Sequence, residues 1–257
     1  MDIKNRIAVV TGGASGIGRA LCQRFAQDGA KAVVAVDLNL EGAQETATGI
    51  GDVATAMQAN VGKEEDIQRV IEETEKNIGP IDIFCGNAGI GIGGGAEVPN
   101  DKWQLIWDVN VMAHIFAARH LIPKMLERGG GYFLNTASAA GLLNQIGSAP
   151  YGVTKHAAVS FAEWIAITYG DKGVGVSVLC PQAVRTGMTA GTDGGVAGLD
   201  GMLEPEVVAA ACLQAIEEEK FLVLPHPEVL EYMQRKTADY DRWIGGMQRL
   251  RRKISGE

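Results

Sequence analysis

Two hydrophobic periods take turns along this chain. Ile7-Ala8-Val9-Val10 is a continuous apolar run followed at once by Thr11-Gly12-Gly13, the pattern of a strand buried on both faces. Ile17, Leu21 and Phe25 then recur at helical spacing within residues 17–28, and Gly29 supplies a helix stop. Val33 to Val36 reads as a second buried strand closed by Asp37, and residues 53–58 as a third, weaker one. Glu64 to Ile78 sets Ile67, Val70, Ile71 and Ile78 on one helical face and carboxylates on the other. Further strands are predicted at 81–84, 131–135, 175–180 and 221–224, and long helices at about 101–128 and 152–169. Such alternation predicts an α/β fold, a mostly parallel sheet with helices on both faces. No repeat, low-complexity tract or linker divides residues 1–257, so a single domain is expected, ending in a helical extension at about 226–253.

Two segments break the rhythm. Gly86 to Gly95 holds six glycines and Gly187 to Leu203 holds six more. Both follow predicted strands, on the carboxyl edge where open α/β sheets bind ligands.

Charge and cysteine usage narrow the partners. A net charge of −8 and a pI near 5.1 disfavour nucleic acid and anionic membranes, which call for clustered cations. Cys22, Cys85, Cys180 and Cys212 lie far apart without a Cys-x-x-Cys, and His114, His120, His156 and His226 show no metal-ligand spacing, so no metal is expected. Asp2, Lys4, Asn5 and Arg6 precede an apolar run of only four residues, unlike a signal peptide. A cytoplasmic protein without membrane spans is the expectation.

The turn after the first strand reads Thr11-Gly12-Gly13-Ala14-Ser15-Gly16-Ile17-Gly18. Gly12 permits a tight turn, Gly16 lets backbone approach a pyrophosphate, and Gly18 allows close helix–strand packing. Phosphates would face the N–H groups of the helix N-terminus. Asp37 stands nineteen positions beyond Gly18, where its carboxylate can accept both adenosine ribose hydroxyls and would repel a 2′-phosphate. Ala14, Ser15, Leu38 and Asn39 offer no cation to hold one, so NAD is expected in preference to NADP.

Tyr151 and Lys155 form Tyr-x-x-x-Lys, whose spacing puts both side chains on one helical face. A free tyrosine titrates near about 10, and bringing it to about 7 needs roughly 4 kcal/mol of differential stabilisation. A neighbouring ammonium, aided by the positive end of a nicotinamide, could supply that. Ser138 lies thirteen residues earlier, just after the fifth strand, with Asn110 in the preceding helix and Asn87-Ala88-Gly89 after the fourth strand.

With this ordered set, and with Pro181 and Thr186 after the sixth strand, the chain resembles the short-chain dehydrogenases/reductases from about residue 4 to 225. The resemblance implies a Rossmann-type three-layer fold with a seven-stranded parallel sheet in the order 3-2-1-4-5-6-7. It implies Tyr151 as acid/base, Lys155 lowering the tyrosine pKa and holding the nicotinamide ribose, Ser138 polarising the substrate oxygen, and Asn110 holding a water in a proton relay. Gly12, Ser15, Gly16, Ile17, Gly18, Asp37, Leu38, Asn60, Val61, Asn87, Ala88, Gly89, Pro181, Val184 and Thr186 would bind the dinucleotide together with Tyr151 and Lys155. It also implies homodimers or homotetramers built on the helices at 101–128 and 152–169, for which Ala157, Ala158, Phe161, Ala162 and Ile165 suit an interface or plain core. Two positions depart from the family pattern. Asn60-Val61 stands where Asp-Val is usual, and Pro181-Gln182 where Pro-Gly is usual, so Gln182 either contacts substrate or points away.

No cation occurs between Arg185 and Lys220, which argues against an acyl-carrier or coenzyme A substrate. Ile90, Ile92, Leu142, Leu143, Ile146, Met188 and Met202 could line an apolar pocket or simply be core. A neutral, hydrophobic secondary alcohol or ketone is the expected partner, contacted by Ser138, Gln182, Leu143 and Met188. The alternatives are a 3-oxoacyl-thioester reductase and a catalytically silent dinucleotide sensor. In residues 226–253, Tyr232, Tyr240, Trp243, Met247 and Leu250 interleave with Arg235, Lys236, Arg242, Arg249, Arg251 and Arg252, read as one amphipathic helix over a neighbouring subunit, the pocket mouth or its own subunit.

Overall fold

The protein was analysed as a computed structural model that describes residues 1–256. In chain order its first half runs β1 (Ile7–Thr11), α1 (Gly16–Gln27), β2 (Ala32–Asp37), α2 (Leu40–Ile50), β3 (Ala54–Gln58), α3 (Glu64–Asn77) and β4 (Ile83–Gly86). Then come α4 (Asn100–Trp107), a π-helical turn (Asp108–Met112), α5 (Ala113–Glu127), β5 (Gly131–Thr136), a short α6 (Ala140–Leu143) and α7 (Ala149–Tyr169). The chain closes with β6 (Val174–Leu179), α8 (Pro205–Glu217), β7 (Leu222–Val223), α9 (Glu228–Ala238) and α10 (Tyr240–Ser255). The seven strands form one parallel sheet in the order β3-β2-β1-β4-β5-β6-β7.

Both faces of the central strands are apolar because both are covered. Val9, Val34, Phe84 and Phe133 point to one side, under α3, α5 and α7, where they meet Ile67, Leu121 and Ala162. Their chain neighbours Ala8, Val33, Ile83 and Tyr132 point to the other, under α1 and α8, against Leu21, Phe25 and Leu213. Residues one apart on a strand face opposite ways, so an unbroken apolar run is what a helix–sheet–helix sandwich selects. All four cysteines are buried and unpaired, and burial pushes the thiols of Cys22 and Cys180 up to about 12, so they act as small hydrophobes.

Several expectations shift in detail. β4 begins at Ile83 rather than Ile81, because the Asp82 carboxylate is spent holding the Ile7 N–H at 2.8 Å and the Arg6 guanidinium at 3.1 Å. The predicted helix at 101–128 is continuous but carries the π turn at its centre, around Asn110. α2 and α8 are additional helices. The buried face of α2 is Gly42, Ala43, Thr46 and Ala47, too small to signal a hydrophobic stripe. The single amphipathic helix expected over 226–253 is two helices. Asp239 adopts extended geometry between them, and its carboxylate accepts the Arg242 N–H at 2.9 Å to start α10. Finally, Ala158, Ala162 and Ile165 are wholly buried against the sheet, one turn apart on the inward stripe of α7. The apolar residues that α7 leaves exposed are Val153, Trp164 and Ile167.

Candidate active site

The carboxyl ends of the strands gather the loops that carry chemistry. After β1 the backbone turns through Gly12 (φ +70°) and Gly16 (φ +52°), conformations that L side chains rarely adopt. A Cβ on Gly18 would fall 1.9 Å from the Gly12 carbonyl oxygen, so only glycine lets α1 pack back on the turn. A Cβ on Gly16 would sit 2.9 Å from the Thr186 methyl, so the loop after β6 lies directly over the glycine turn. Ser15 begins α1 without a hydrogen bond from its hydroxyl to the helix, which leaves that end open to an anion.

Asp37 closes β2 and staples the turn to it, accepting the N–H of Ala14 at 3.0 Å and of Asn39 at 2.9 Å. Leu38 beside it is exposed. One cation stands closer than the local sequence suggests. Arg19 donates to the Ala14 carbonyl and pairs with Glu45 at 3.1 Å, so its donors are directed at the protein. At the end of β3, Asn60 accepts the Gly62 N–H at 3.0 Å and donates its own N–H to Asp66 at 2.8 Å, while Val61 is buried.

Asn87 knits three strand ends together. Its N–H and side-chain amide reach Thr11 at 2.9 and 3.0 Å, and its Oδ1 accepts from Thr136 at 3.1 Å. The Thr11 hydroxyl also receives the Ala88 N–H at 3.1 Å, a node the sequence reading passed over. Gly89 runs past the Asn110 Oδ1 and the Lys155 Nζ, each 3.3 Å from where its Cβ would lie.

Asn110, Ser138, Tyr151 and Lys155 come together from three segments: the π turn, the loop after β5, and α7, which carries both Tyr151 and Lys155. Asn110 is fully buried in the π turn, a geometry that recurs at functional positions. Its side chain accepts from the Ile90 N–H at 2.9 Å and donates to the Ile90 carbonyl at 3.0 Å and to Thr154 at 3.2 Å. Both of its amide hydrogens are therefore engaged, and its Oδ1 accepts one hydrogen bond. Ser138 follows β5 and hydrogen-bonds the Tyr151 hydroxyl. It also leans on the Pro181 carbonyl at 3.4 Å and receives the Ala140 N–H at 3.1 Å. Lys155 is buried, donates to the Thr136 carbonyl at 3.0 Å and lies 5.6 Å from the centre of the Tyr151 ring.

Burial dominates the electrostatics of this pair. Burial raises the Tyr151 pKa above its usual 10, with only the Ser138 hydrogen bond drawing it down. The Lys155 ammonium stands over the Tyr151 ring, 5.6 Å from its centre. Burial also lowers the Lys155 pKa to about 8, weakening its own charge. Loss of water around both groups outweighs their mutual attraction.

Ser138 opens onto a cavity of about 820 Å³, at the upper end of what a small-molecule site offers. Leu143 and Gln182 line it as expected; Met188 does not, its side chain being exposed to solvent. Gln182 points inward. Its Nε2 donates to Asp200 at 2.9 Å, and its buried Oε1 has no partner among the described residues. The Gln182 N–H is held by His226 Nδ1 at 3.2 Å, and burial lowers the pKa of that imidazole. Asp200, from the glycine-rich segment, also accepts the Tyr232 hydroxyl at 3.0 Å. The outer wall is α9 and α10, with Trp243 and Met247 beside Arg235, Arg242 and Arg249. The absence of cations between Arg185 and Lys220 therefore does not make the pocket cation-free. Residues far along the chain fold back to supply them, and the sequence argument for a neutral substrate loses its premise. Among the described residues no three His, Cys, Asp or Glu converge on a common point, and no helix is long and apolar enough to cross a membrane.

Comparison with known proteins agrees with this fold. The short chain dehydrogenase family model matches residues 6–195. The chain is 37% identical over 237 residues to 1-deoxy-11-beta-hydroxypentalenate dehydrogenase of Streptomyces exfoliatus, covering 89% of this chain and 86% of that one. It is 31% identical to 3beta-hydroxysteroid dehydrogenase 2 of Eggerthella lenta, covering 86% and 91%. Among solved structures, a short chain dehydrogenase/reductase from Burkholderia phymatum in complex with NAD superposes with a TM-score of 0.87 at 27% identity, covering 94% and 96%.

Proposed function

The chain belongs to the short-chain dehydrogenase family, and on that premise we propose that it is an NAD-dependent dehydrogenase of a secondary alcohol carried on a largely apolar skeleton. At the coarser level it is an oxidoreductase acting on hydroxyl groups with a nicotinamide dinucleotide. The observation that carries the finer reading is that the Ser138 hydroxyl meets the Tyr151 hydroxyl and also lines the cavity. A substrate oxygen there would lie within reach of both.

In this reading Tyr151 takes the alcohol proton during oxidation and returns it during reduction. Ser138 orients the oxygen, Lys155 binds the nicotinamide ribose, and Asn110 keeps Ile90 and Thr154 in place around them. When bound, NAD would supply the hydride acceptor and a positive charge that, with the Lys155 ammonium, favours the phenolate. Gly12, Ser15, Gly16, Ile17 and Gly18 would cradle the pyrophosphate under Val184 and Thr186, with Pro181 shaping that loop. Asp37 and Leu38 would flank the adenosine ribose, and Asn60, Val61, Asn87, Ala88 and Gly89 the adenine side. The Asp37 carboxylate, and an Arg19 already paired with Glu45, favour NAD over NADP. The whole chain acts as one catalytic domain extended by α9 and α10. Four unpaired cysteines suit a reducing compartment such as the cytoplasm. Homodimers or homotetramers form through the exposed face around Trp164.

The test is nicotinamide absorbance across small aliphatic, aryl and polycyclic alcohols, with NAD and NADP compared directly. Activity with NAD that falls at least about a thousandfold in Tyr151→Phe, with NADH affinity retained, is the expected result. Equal activity in that variant, or loss of NADH binding with it, refutes the assignment.

A further inference from the structure

The cavity is polar at both ends, but in opposite senses. At the catalytic end are the hydroxyl of Ser138 and the unpartnered Gln182 Oε1, both of which accept hydrogen bonds, while the exposed Asp200 carboxylate on the same lining is held by Gln182 and by Tyr232 of α9. Its outer wall on α10 carries Arg242 and Arg249, which form no ion pair among the described residues. Arg235, on the same wall, is already tied to Glu231 and lies over the Tyr232 ring. The Asp239 carboxylate is engaged by the Arg242 N–H, and Asp200 by Gln182 and Tyr232.

A second feature singles out this wall. Gly245 and Gly246 interrupt the middle of α10, where glycine is unfavourable. The Arg249 guanidinium lies against them: a Cβ at Gly245 would be 3.5 Å from its Nη1 and one at Gly246 3.8 Å from its Nη2. The helix is bare where the arginine reaches back toward the cavity.

We propose that the alcohol oxidised by this enzyme carries a carboxylate on the side of its apolar skeleton away from the reacting hydroxyl, and that Arg242 and Arg249 hold that carboxylate. The inference deepens the dehydrogenase reading and rests on it for the orientation of the substrate. The hydroxyl, a donor, is directed to the acceptor-lined catalytic end. The anion is directed to the two guanidiniums, whose forked donors match a carboxylate. Trp243, Met247 and Leu143 cover the skeleton between them.

The test uses adamantane-1-carboxylate and adamantane-1-carboxamide, which share an apolar cage and differ in charge, titrated calorimetrically into the full-length protein saturated with NADH. The carboxylate is expected to bind at least tenfold more tightly. In the Arg242→Gln/Arg249→Gln double variant that ratio should fall below threefold, while NADH affinity and the unfolding temperature stay at wild-type values. Equal affinity of the two probes for the wild type, no binding of either, or a preference that survives the double substitution overturns the proposal. So does tight coenzyme A binding that vanishes in the same variant, since the arginines would then serve a phosphate-bearing carrier. Failure of the dehydrogenase reading registers separately, as absence of Tyr151-dependent NAD reduction with a carboxylate preference that persists in the calorimeter.

Discussion

At the scale of single residues, the site is governed by desolvation. Tyr151 is held above its ordinary pKa and Ser138 is the group that pulls it down. Protonated tyrosine can donate to a ketone but cannot accept a proton from an alcohol. Oxidation should therefore accelerate as pH rises toward the tyrosine titration, while reduction falls off only at the alkaline end. Removing the hydroxyl in Ser138→Ala leaves burial unopposed, so the midpoint of the kcat/KM profile for oxidation should move to higher pH, on top of the loss of rate. A pH profile with the midpoint unmoved would contradict that coupling. Lys155 pays for its position in stability. Its folded value of about 8 lies below the ordinary 10.5, so the folded chain resists the proton that the unfolded chain accepts. Stability is reduced by about 3 kcal/mol below pH 8 and recovers between pH 8 and 10.5. Lys155→Met should lose turnover yet unfold at a higher temperature at pH 7, a gain that shrinks by pH 10. Thermal melts at the two pH values decide it.

At the scale of elements, two helical segments depart from ideal helix chemistry. The π turn gives Asn110 its buried place between α4 and α5, and the glycine pair weakens α10. Each glycine inside a helix costs about 1 kcal/mol relative to alanine. Gly245 has no neighbour closer than the Arg249 guanidinium at 3.5 Å, so alanine fits there without strain. Gly245→Ala should slow hydrogen exchange of the α10 amides by about fivefold. Unchanged exchange would mean that packing on α9, not propensity, limits the helix. The periodicity of α7 carries a related lesson. Spacing identifies which residues share a stripe, as with Ala158, Ala162 and Ile165, but not what the stripe faces.

At the scale of the molecule, one side of the sheet sandwich remains apolar and uncovered. Trp164 and Ile167 are 50% and 83% exposed, and the Trp164 ring stacks on Phe161 at 6.0 Å. An exposed aromatic and aliphatic patch of this kind marks a contact surface, and we assign it to self-association. Ile167→Glu should lower the mass measured by light scattering from an oligomer to the 27.2 kDa chain. A wild type that already runs as a monomer would remove the assignment. The acidic net charge is also unevenly distributed: cations concentrate in the last thirty residues, of which Arg235, Arg242 and Arg249 line the cavity.

Periodicity alone was enough for an α/β fold with a mostly parallel sheet covered on both faces, because strands buried on both sides and helices with one apolar face leave little choice of layers; the strand order followed only from the resemblance to the short-chain dehydrogenases/reductases. The sequence also marked the glycine turn and the Ser138, Tyr151 and Lys155 set, because their spacings follow from the elements that carry them. Only the tertiary structure decided what surrounds those groups. Whether Lys155 lies at the Tyr151 hydroxyl or over its ring, whether Gln182 turns inward, and which cations reach the cavity are questions of distance between segments remote in the chain. Hydrophobic periodicity is a local property and survives in one dimension. Desolvation and charge depend on every atom within a few ångströms, and those neighbours come from β5, α7, the glycine-rich segment and α10 at once.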